Sequence, residues 1–210
     1  MKGHFVTFEG GDGAGKSSLI IGLHAALIER GHAVLQTLHP GGTEPGQIIR
    51  ELVLHPHEPV TPKAELFLFL ADRAHQVEKV IRPALEEGRV VLCDRYNDST
   101  IAYQGRARGF GIEKVEELCQ FATNNLIPDL TIYLDIDPEI GLQRIKEATG
   151  RKDQIEAADI ELHKQIRETF LEIGRKNPAR FQILDGTKSK EEVFEEALKL
   201  IDDHCFATNP

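Results

Sequence analysis

Between Gly10 and Ser17 the chain reads G-G-D-G-A-G-K-S, a fit to G-x-x-x-x-G-K-[ST], directly behind the apolar run His4 to Phe8 and ahead of the apolar stretch Leu19 to Ile28. Residues of these types at this spacing hold phosphates. Glycines let successive backbone N–H groups wrap an oxyanion at a helix N-terminus, the lysine reaches the β and γ phosphates, and the hydroxyl after it suits magnesium. Gly10, Gly11, Asp12, Gly13, Ala14, Gly15, Lys16, Ser17 and Ser18 are therefore assigned to a nucleoside triphosphate, with Lys16 serving transfer and Ser17 the metal. Asp12 is the unusual member. An acid among anions is costly unless it meets magnesium or accepts a substrate hydroxyl.

A second cluster, Asp94-Arg95-Tyr96-Asn97-Asp98-Ser99-Thr100-Ile101-Ala102-Tyr103-Gln104, follows the run Val90 to Cys93. An acid at the carboxyl end of a central parallel strand lies beside such a loop, where it helps hold hydrated magnesium, and Arg95 offers a fork suited to a phosphate. A helix-capping Asp beside a surface Arg is the plainer reading of this segment alone. The chain contains no N-K-x-D segment of the kind that reads guanine in switch GTPases.

The elements that must position these groups are legible as alternation. His4 to Phe8, Ala33 to Leu38, Val90 to Cys93, Leu130 to Leu134 and Phe181 to Leu184 read as short buried strands separated by helical patterns. Strands alternating with helices imply right-handed crossovers and a five-stranded parallel sheet covered on both faces, an α/β fold in three layers. Asp137-Pro138 and Ser189-Lys190-Glu191-Glu192 read as helix starts, Thr61-Pro62 opens a helix that Pro83 distorts or ends, and a long amphipathic helix runs from Ile155 to near Asn177-Pro178. His39 to Gly46 and Lys146 to Asp153 concentrate Gly, Pro and charge as working loops do.

The 210 residues fit one domain, 1–210, and a net charge of -9 argues against a protein that grips a nucleic-acid polymer. Cys93, Cys119 and Cys205 are widely spaced and form no C-x-x-C pair, which suits buried thiols in a reducing compartment. No apolar run approaches the roughly 18 residues of a membrane span, and no signal-peptide pattern opens the chain. A cytoplasmic location is the expectation.

The run D-R-Y-x-x-S-T-x-A-Y-Q, following a loop of the form G-x-[DE]-G-A-G-K-[ST], resembles the thymidylate kinase signature. Pro40 to Thr43 (P-G-G-T), Phe69 to Arg73 (F-x-x-D-R), Leu134 to Arg144 (L-D-x-x-P-E-x-G-L-x-R) and Asp153 to Glu156 (D-x-I-E) extend that resemblance over nearly the whole chain, in order. It implies phosphorylation of dTMP by ATP with Mg²⁺, on a phosphate-loop fold with a short mobile lid near 144–156, in a homodimer. It implies that Phe69 stacks on thymine, that Arg73 hydrogen-bonds the base, and that Arg95 and Arg50 clamp the acceptor phosphate. Ser99, Thr100 and Gln104 would lie around the base and Tyr103 near the sugar, with packing as the alternative for Tyr103. Arg144, Lys146, Arg151 and Lys152 would belong to the lid. Gly13 stands where the eukaryotic type carries arginine, which makes Arg151 the preferred catalytic cation; Ser17, Asp94 and Glu156 would serve the metal region. The chain departs from the family's usual T-R-E-P-G-G-T at Leu38-His39 and from D-R-I-E at Gln154. Another nucleoside or nucleotide kinase, or a nucleotide-binding module without catalysis, is the alternative reading.

Overall fold

The structure is a computed structural model that describes residues 3–149 and 157–206, with Thr149 and 157–159 described by backbone alone. Five strands, β1 His4–Gly10, β2 Val34–Leu38, β3 Val90–Asp94, β4 Leu130–Asp135 and β5 Phe181–Asp185, form one sheet in the order β2-β3-β1-β4-β5. Every pairing is parallel. The three inner strands are buried almost without interruption, whereas β2 and β5 alternate between buried and open positions. Helices on both faces bury the inner strands completely, and only the edges can keep polar residues in water.

Helix α1 (Lys16–Glu29) follows β1, and α2 (Glu44–Leu54) and α3 (Pro62–Gln76) lie between β2 and β3. Pro83 distorts this region without ending it. A five-residue π-type turn, Val77–Ile81, joins α3 to α4 (Arg82–Glu86), and Arg82 N–H reaches the Val77 carbonyl five residues back. Pro83 offers no N–H for the ordinary ladder, so the helix widens just before it. After β3, α5 (Asn97–Thr100) runs into a second wide segment, Ile101–Ala107, and then α6 (Ile112–Thr123); α7 (Pro138–Thr149), α8 (Ala157–Lys176) and α9 (Lys190–Ile201) complete the layers.

Two of the expected helix starts are present in atomic detail. Asp137 Oδ1 accepts the Glu139 N–H at 2.9 Å, and Ser189 and Glu192 form a reciprocal capping box. The loop expected over His39 to Gly46 is shorter, because Thr43 caps α2 through the Gly46 N–H and the helix starts at Glu44. Likewise Lys146 to Thr149 belong to α7 rather than to a loop. All three cysteines are free and buried, and no helix among the described residues is long and apolar enough to cross a membrane.

Register sets the site. Phe8 of β1 and Leu38 of β2 both pair with Asp94, so the phosphate loop, Asp94 and the β2 exit emerge at one level of the sheet. β1 is flanked by β3 and β4, whose crossovers leave in opposite directions, and such a switch point opens a crevice at the carboxyl ends.

Candidate active site

Helix α1 begins with nothing to satisfy its first N–H groups. Gly15 precedes it at φ 95°, no side chain caps it, and its first turn contains no acid. Four orphan N–H groups and the positive end of the helix dipole are thereby left for an anion. Lys16, nearly buried, donates to the carbonyls of Gly10 at 2.9 Å and Gly11 at 3.0 Å. Burial, and then the charge of Arg95, lowers its ammonium to a pKa of about 8. A cavity of about 390 Å³ over the loop is lined by Asp12 to Ser18 together with His39, Arg50, Asp94 and Arg95.

Ser17 Oγ donates to Asp94 Oδ2 at 3.3 Å, while Asp94 Oδ1 is buried with no hydrogen-bond partner. Two hard oxygen donors, one unsatisfied, beside a phosphate loop fit a magnesium ion that takes one or two protein contacts and completes its shell with phosphate and water. Among the described residues no cluster of three or more His, Cys, Asp or Glu forms a closed metal cage.

Arg95 stands at the centre of the charges. Its Nη2 donates to Asp12 Oδ1 at 2.8 Å, and its Nη1 to Gly10 O at 3.1 Å and Ser99 Oγ at 3.2 Å. The acid in the anion loop is thus balanced by an arginine across the crevice. Beneath them lies Glu9, fully buried, which accepts from the Tyr96 N–H at 2.8 Å and from Ser99 Oγ. Burial, and then the nearby Asp98 carboxylate, push the Glu9 carboxyl up to about 7. Because the folded value lies above the ordinary 4.5, its contribution to stability is whole below 4.5 and is lost as pH rises through about 7. At pH 8 that loss amounts to about 3 kcal/mol. The Glu9→Gln variant keeps an acceptor for Tyr96 and carries no charge, so it should melt above wild type at pH 8 and converge with it at pH 5. Thermal unfolding across that range checks this; a gap that widens toward acid would contradict it.

The buried carboxylate of Asp98 takes both terminal nitrogens of Arg180, at 2.8 and 2.9 Å, which also reaches Thr131 on β4. This fork ties α5 to the sheet and holds the Ser99 and Thr100 backbone in place.

Against the Arg95 side lies a cavity of about 560 Å³. Every acceptor-binding residue named from sequence lines it: Asp12, Arg50, Phe69, Arg73, Arg95, Ser99, Thr100, Tyr103 and Gln104. Phe69 and Arg73 sit one turn apart on α3, so their side chains share a face. Arg73 is only 1% exposed and donates through Nη1 to Asn97 Oδ1 at 2.7 Å. Arg50 donates to the Pro40 carbonyl at 2.8 Å, and Gln104 donates to Glu65 Oε1 at 3.0 Å. Tyr103 does both things open to it at sequence level: it packs in the cluster that includes Leu66 and Phe170, and it lines the cavity with its hydroxyl buried and unpartnered. The family model described as "Thymidylate kinase" matches residues 8–197. The chain belongs to the thymidylate kinase family.

Relatives named "Thymidylate kinase" include that of Protochlamydia amoebophila, 42% identical over 97% of this chain and 94% of its own. That of Carboxydothermus hydrogenoformans is 45% identical over 93% and 95%, and that of Deinococcus radiodurans 44% over 91% and 93%. Within the thymidylate kinase family frame, Gly13 is fixed sterically. It has φ +75°, and a Cβ there would collide with the Gly141 carbonyl of α7, so an arginine at this position would require α7 to move away. The cation absent from position 13 cannot simply be restored.

A third cavity, about 610 Å³, opens on the other side of the loop between Gly13 to Leu19 and the segment Gly186 to Glu195. Arg144 lines it and donates to the Gly186 carbonyl at 2.9 Å. The sequence points to Arg144 here but not to Gly186, Lys188 and Phe194, which no motif marks. Nor does it point to His39, Glu65 and Arg108, which line the cavity of Phe69 and Arg73, or to Glu9 beneath Tyr96 and Ser99. Glu65 is recoverable, since it precedes Phe69 by four residues on the same face of α3. Arg151, Lys152, Gln154 and Glu156 lie outside the described residues.

Proposed function

We propose that the chain transfers the γ-phosphoryl group of ATP to the phosphate of dTMP, giving ADP and dTDP. The observation that carries this reading is the joining of two cavities at Asp12 and Arg95, with the phosphate loop between them. ATP lies along the cavity of Arg144 and Gly186 with its phosphates over Gly10 to Ser18. The base of dTMP sits against Phe69 and Arg73, with Ser99, Thr100 and Gln104 around it, and its phosphate between Arg95 and Arg50. Tyr103 crowds the sugar where a ribose would carry a 2′-hydroxyl, and Asp12 faces the 3′-hydroxyl or hydrated metal. Ser17 and Asp94, with Glu156 ordering that region, would hold magnesium, which would supply charge neutralisation to the phosphates. The acceptor phosphate is already anionic near neutral pH, so the protein's part is in-line positioning and electrostatics from Lys16, Arg95 and the lid cation Arg151.

One phosphoryl-transferring domain over 1–210, with a lid near 144–156, completes the proposal. Its setting is the cytoplasm, where free buried thiols are at home. A homodimer is supported by exposed apolar side chains on neighbouring helices: Ile48 at 68%, Phe67 at 55% and Phe121 at 85% exposure. A solution mass of one chain would overturn the pairing.

An ATP-coupled assay across dTMP, dUMP, UMP, CMP, AMP and thymidine should give the highest kcat/KM with dTMP. Another acceptor exceeding dTMP would sink the assignment, and binding of both nucleotides without single-turnover transfer would make the chain a binding module.

A further inference from the structure

His39 stands where the family pattern has a carboxylate, and it is 4% exposed at the junction of the phosphate and acceptor cavities. Its imidazole makes polar contacts on both sides. Nδ1 meets Arg73 Nη2, while Nε2 lies 3.1 Å from the Phe69 carbonyl and 3.2 Å from Asp72 Oδ2. A guanidinium can only donate, so Nδ1 is the acceptor and Nε2 carries the hydrogen, which points to the Phe69 carbonyl and the Asp72 carboxylate. Burial, and then the charge of Arg73, hold the ring well below its ordinary 6.5, so it stays neutral in this tautomer. Asp72 is fixed in turn by the Gly41 N–H at 3.1 Å. The backbone of His39 is pinned as well, through its N–H to the Asp94 carbonyl at 2.9 Å.

We propose that His39 is a positioning residue for base recognition, its neutral imidazole tying the Arg73 guanidinium to the turn of α3 that carries Phe69 and Asp72. This rests on the reading of Phe69 and Arg73 as the base site. Arg73 has two side-chain hydrogen-bond partners in the structure, Asn97 on one terminal nitrogen and His39 on the other; its Nε is buried without one, and its guanidinium lies 4.9 Å from the centre of the Tyr96 ring. Without the imidazole the guanidinium keeps one hydrogen bond, to Asn97, and the face of Tyr96, which holds its plane without fixing where its donors point, and a donor that turns in that plane no longer separates a carbonyl from an amino group on the base. A neutral acceptor also leaves the guanidinium's charge less neutralised than a carboxylate would, which strengthens its hold on a base carbonyl.

The test uses the intact protein and three variants. His39→Leu keeps the volume and removes both polar contacts; His39→Asn keeps an acceptor near the Nδ1 position; Arg73→Leu removes the base donor itself. The measured quantities are KM for dTMP, KM for ATP, kcat, and the ratio of kcat/KM for dTMP over dCMP. For His39→Leu, KM for dTMP should rise about tenfold and the dTMP preference fall about tenfold, with KM for ATP within about twofold. His39→Asn should recover most of both. Were His39 only a filler of the core, the leucine variant would match or surpass the asparagine variant, and that ranking overturns the proposal. Equal rises in both KM values overturn it too. If Arg73→Leu leaves the dTMP preference intact, the base-site reading falls and the proposal with it. If Arg73→Leu abolishes the preference and His39→Leu does not, the proposal alone falls.

Discussion

Lys16→Ala is expected to lower kcat/KM for phosphoryl transfer on the order of 10³-fold, about 4 kcal/mol of transition-state stabilisation, while the protein remains folded. The ammonium is the cation inside the phosphate loop, and charge that develops on the transferring group has no equivalent donor there. Its removal is tolerable for the fold for reasons visible in the loop. The Gly10 carbonyl still accepts from Arg95 at 3.1 Å, and the Gly11 carbonyl still accepts the Ala14 N–H at 3.4 Å. The buried cation is itself a burden. Its folded pKa of about 8 lies below the ordinary 10.5, so its contribution to stability is present above 10.5 and is lost as pH falls through 8. At pH 7 the variant sheds that burden, which offsets the two lost hydrogen bonds. ATP phosphates favour the protonated amine, so wild-type affinity for ATP should weaken as pH rises past about 8 and the variant should show no such step. Calorimetric titration at several pH values, thermal melting and single-turnover transfer check the three arms. An unfolded variant, or transfer within about tenfold of wild type, would count against this role.

How much of the fold and the site is legible in the amino-acid sequence depends on the kind of signal each residue carries. The loop Gly10 to Ser18 is contiguous and its chemistry dictates its spacing, so it can be read outright. The five strands can be read because a parallel sheet buries them on both faces and leaves uninterrupted apolar runs. Phe69, Arg73 and the segment Asp94 to Gln104 need several motifs in order, since an isolated Phe or Arg in a helix is ordinarily packing or surface. The residues that escape a linear reading are those whose role is conferred by distant chain. Glu9 looks like any strand position until Ser99 and Tyr96 arrive over it from 90 and 87 residues away. Gly186, Lys188 and Phe194 are common residue types brought against the loop only by the last crossover. His39 reads in sequence as a departure that removes a polar contact from the family pattern; the fold gives it a different one, to Arg73, which no one-dimensional pattern contains. The wide turn at Val77–Ile81 is half legible, because Pro83 announces a distortion but packing decides whether the helix survives it.

Arg95→Ala should separate the two substrates. We expect kcat/KM for dTMP to fall roughly 10²-fold to 10³-fold, the worth of a forked charge-assisted contact to a phosphate, while the dissociation constant of ATP moves less than about threefold. The division follows from position in the proposed reading: Arg95 faces Asp12 and Ser99 on the side proposed for the acceptor, whereas the α1 N-terminus and Lys16 are proposed to serve the donor. Arg95→Lys keeps a point charge without the fork and should fall between, about tenfold below wild type. Folding is not the confounding factor it first looks. Asp12 is 52% exposed on its side chain and remains solvated, and Glu9, no longer lowered by the arginine's charge, shifts further up and takes a proton instead of standing as a buried anion. The backbone supplies an internal control. Arg95 adopts φ 70°, in the left-handed region that disfavours a Cβ, its N–H donating to the Phe8 carbonyl at 2.9 Å. Arg95→Gly therefore removes the same guanidinium and relieves about 1 kcal/mol of strain, so it should be more stable than Arg95→Ala and equally impaired with dTMP. A gain in stability with no recovery of activity across that pair would mark the guanidinium, not the local fold, as the source of the loss. Equal loss of ATP and dTMP binding in both variants would refute the division of labour.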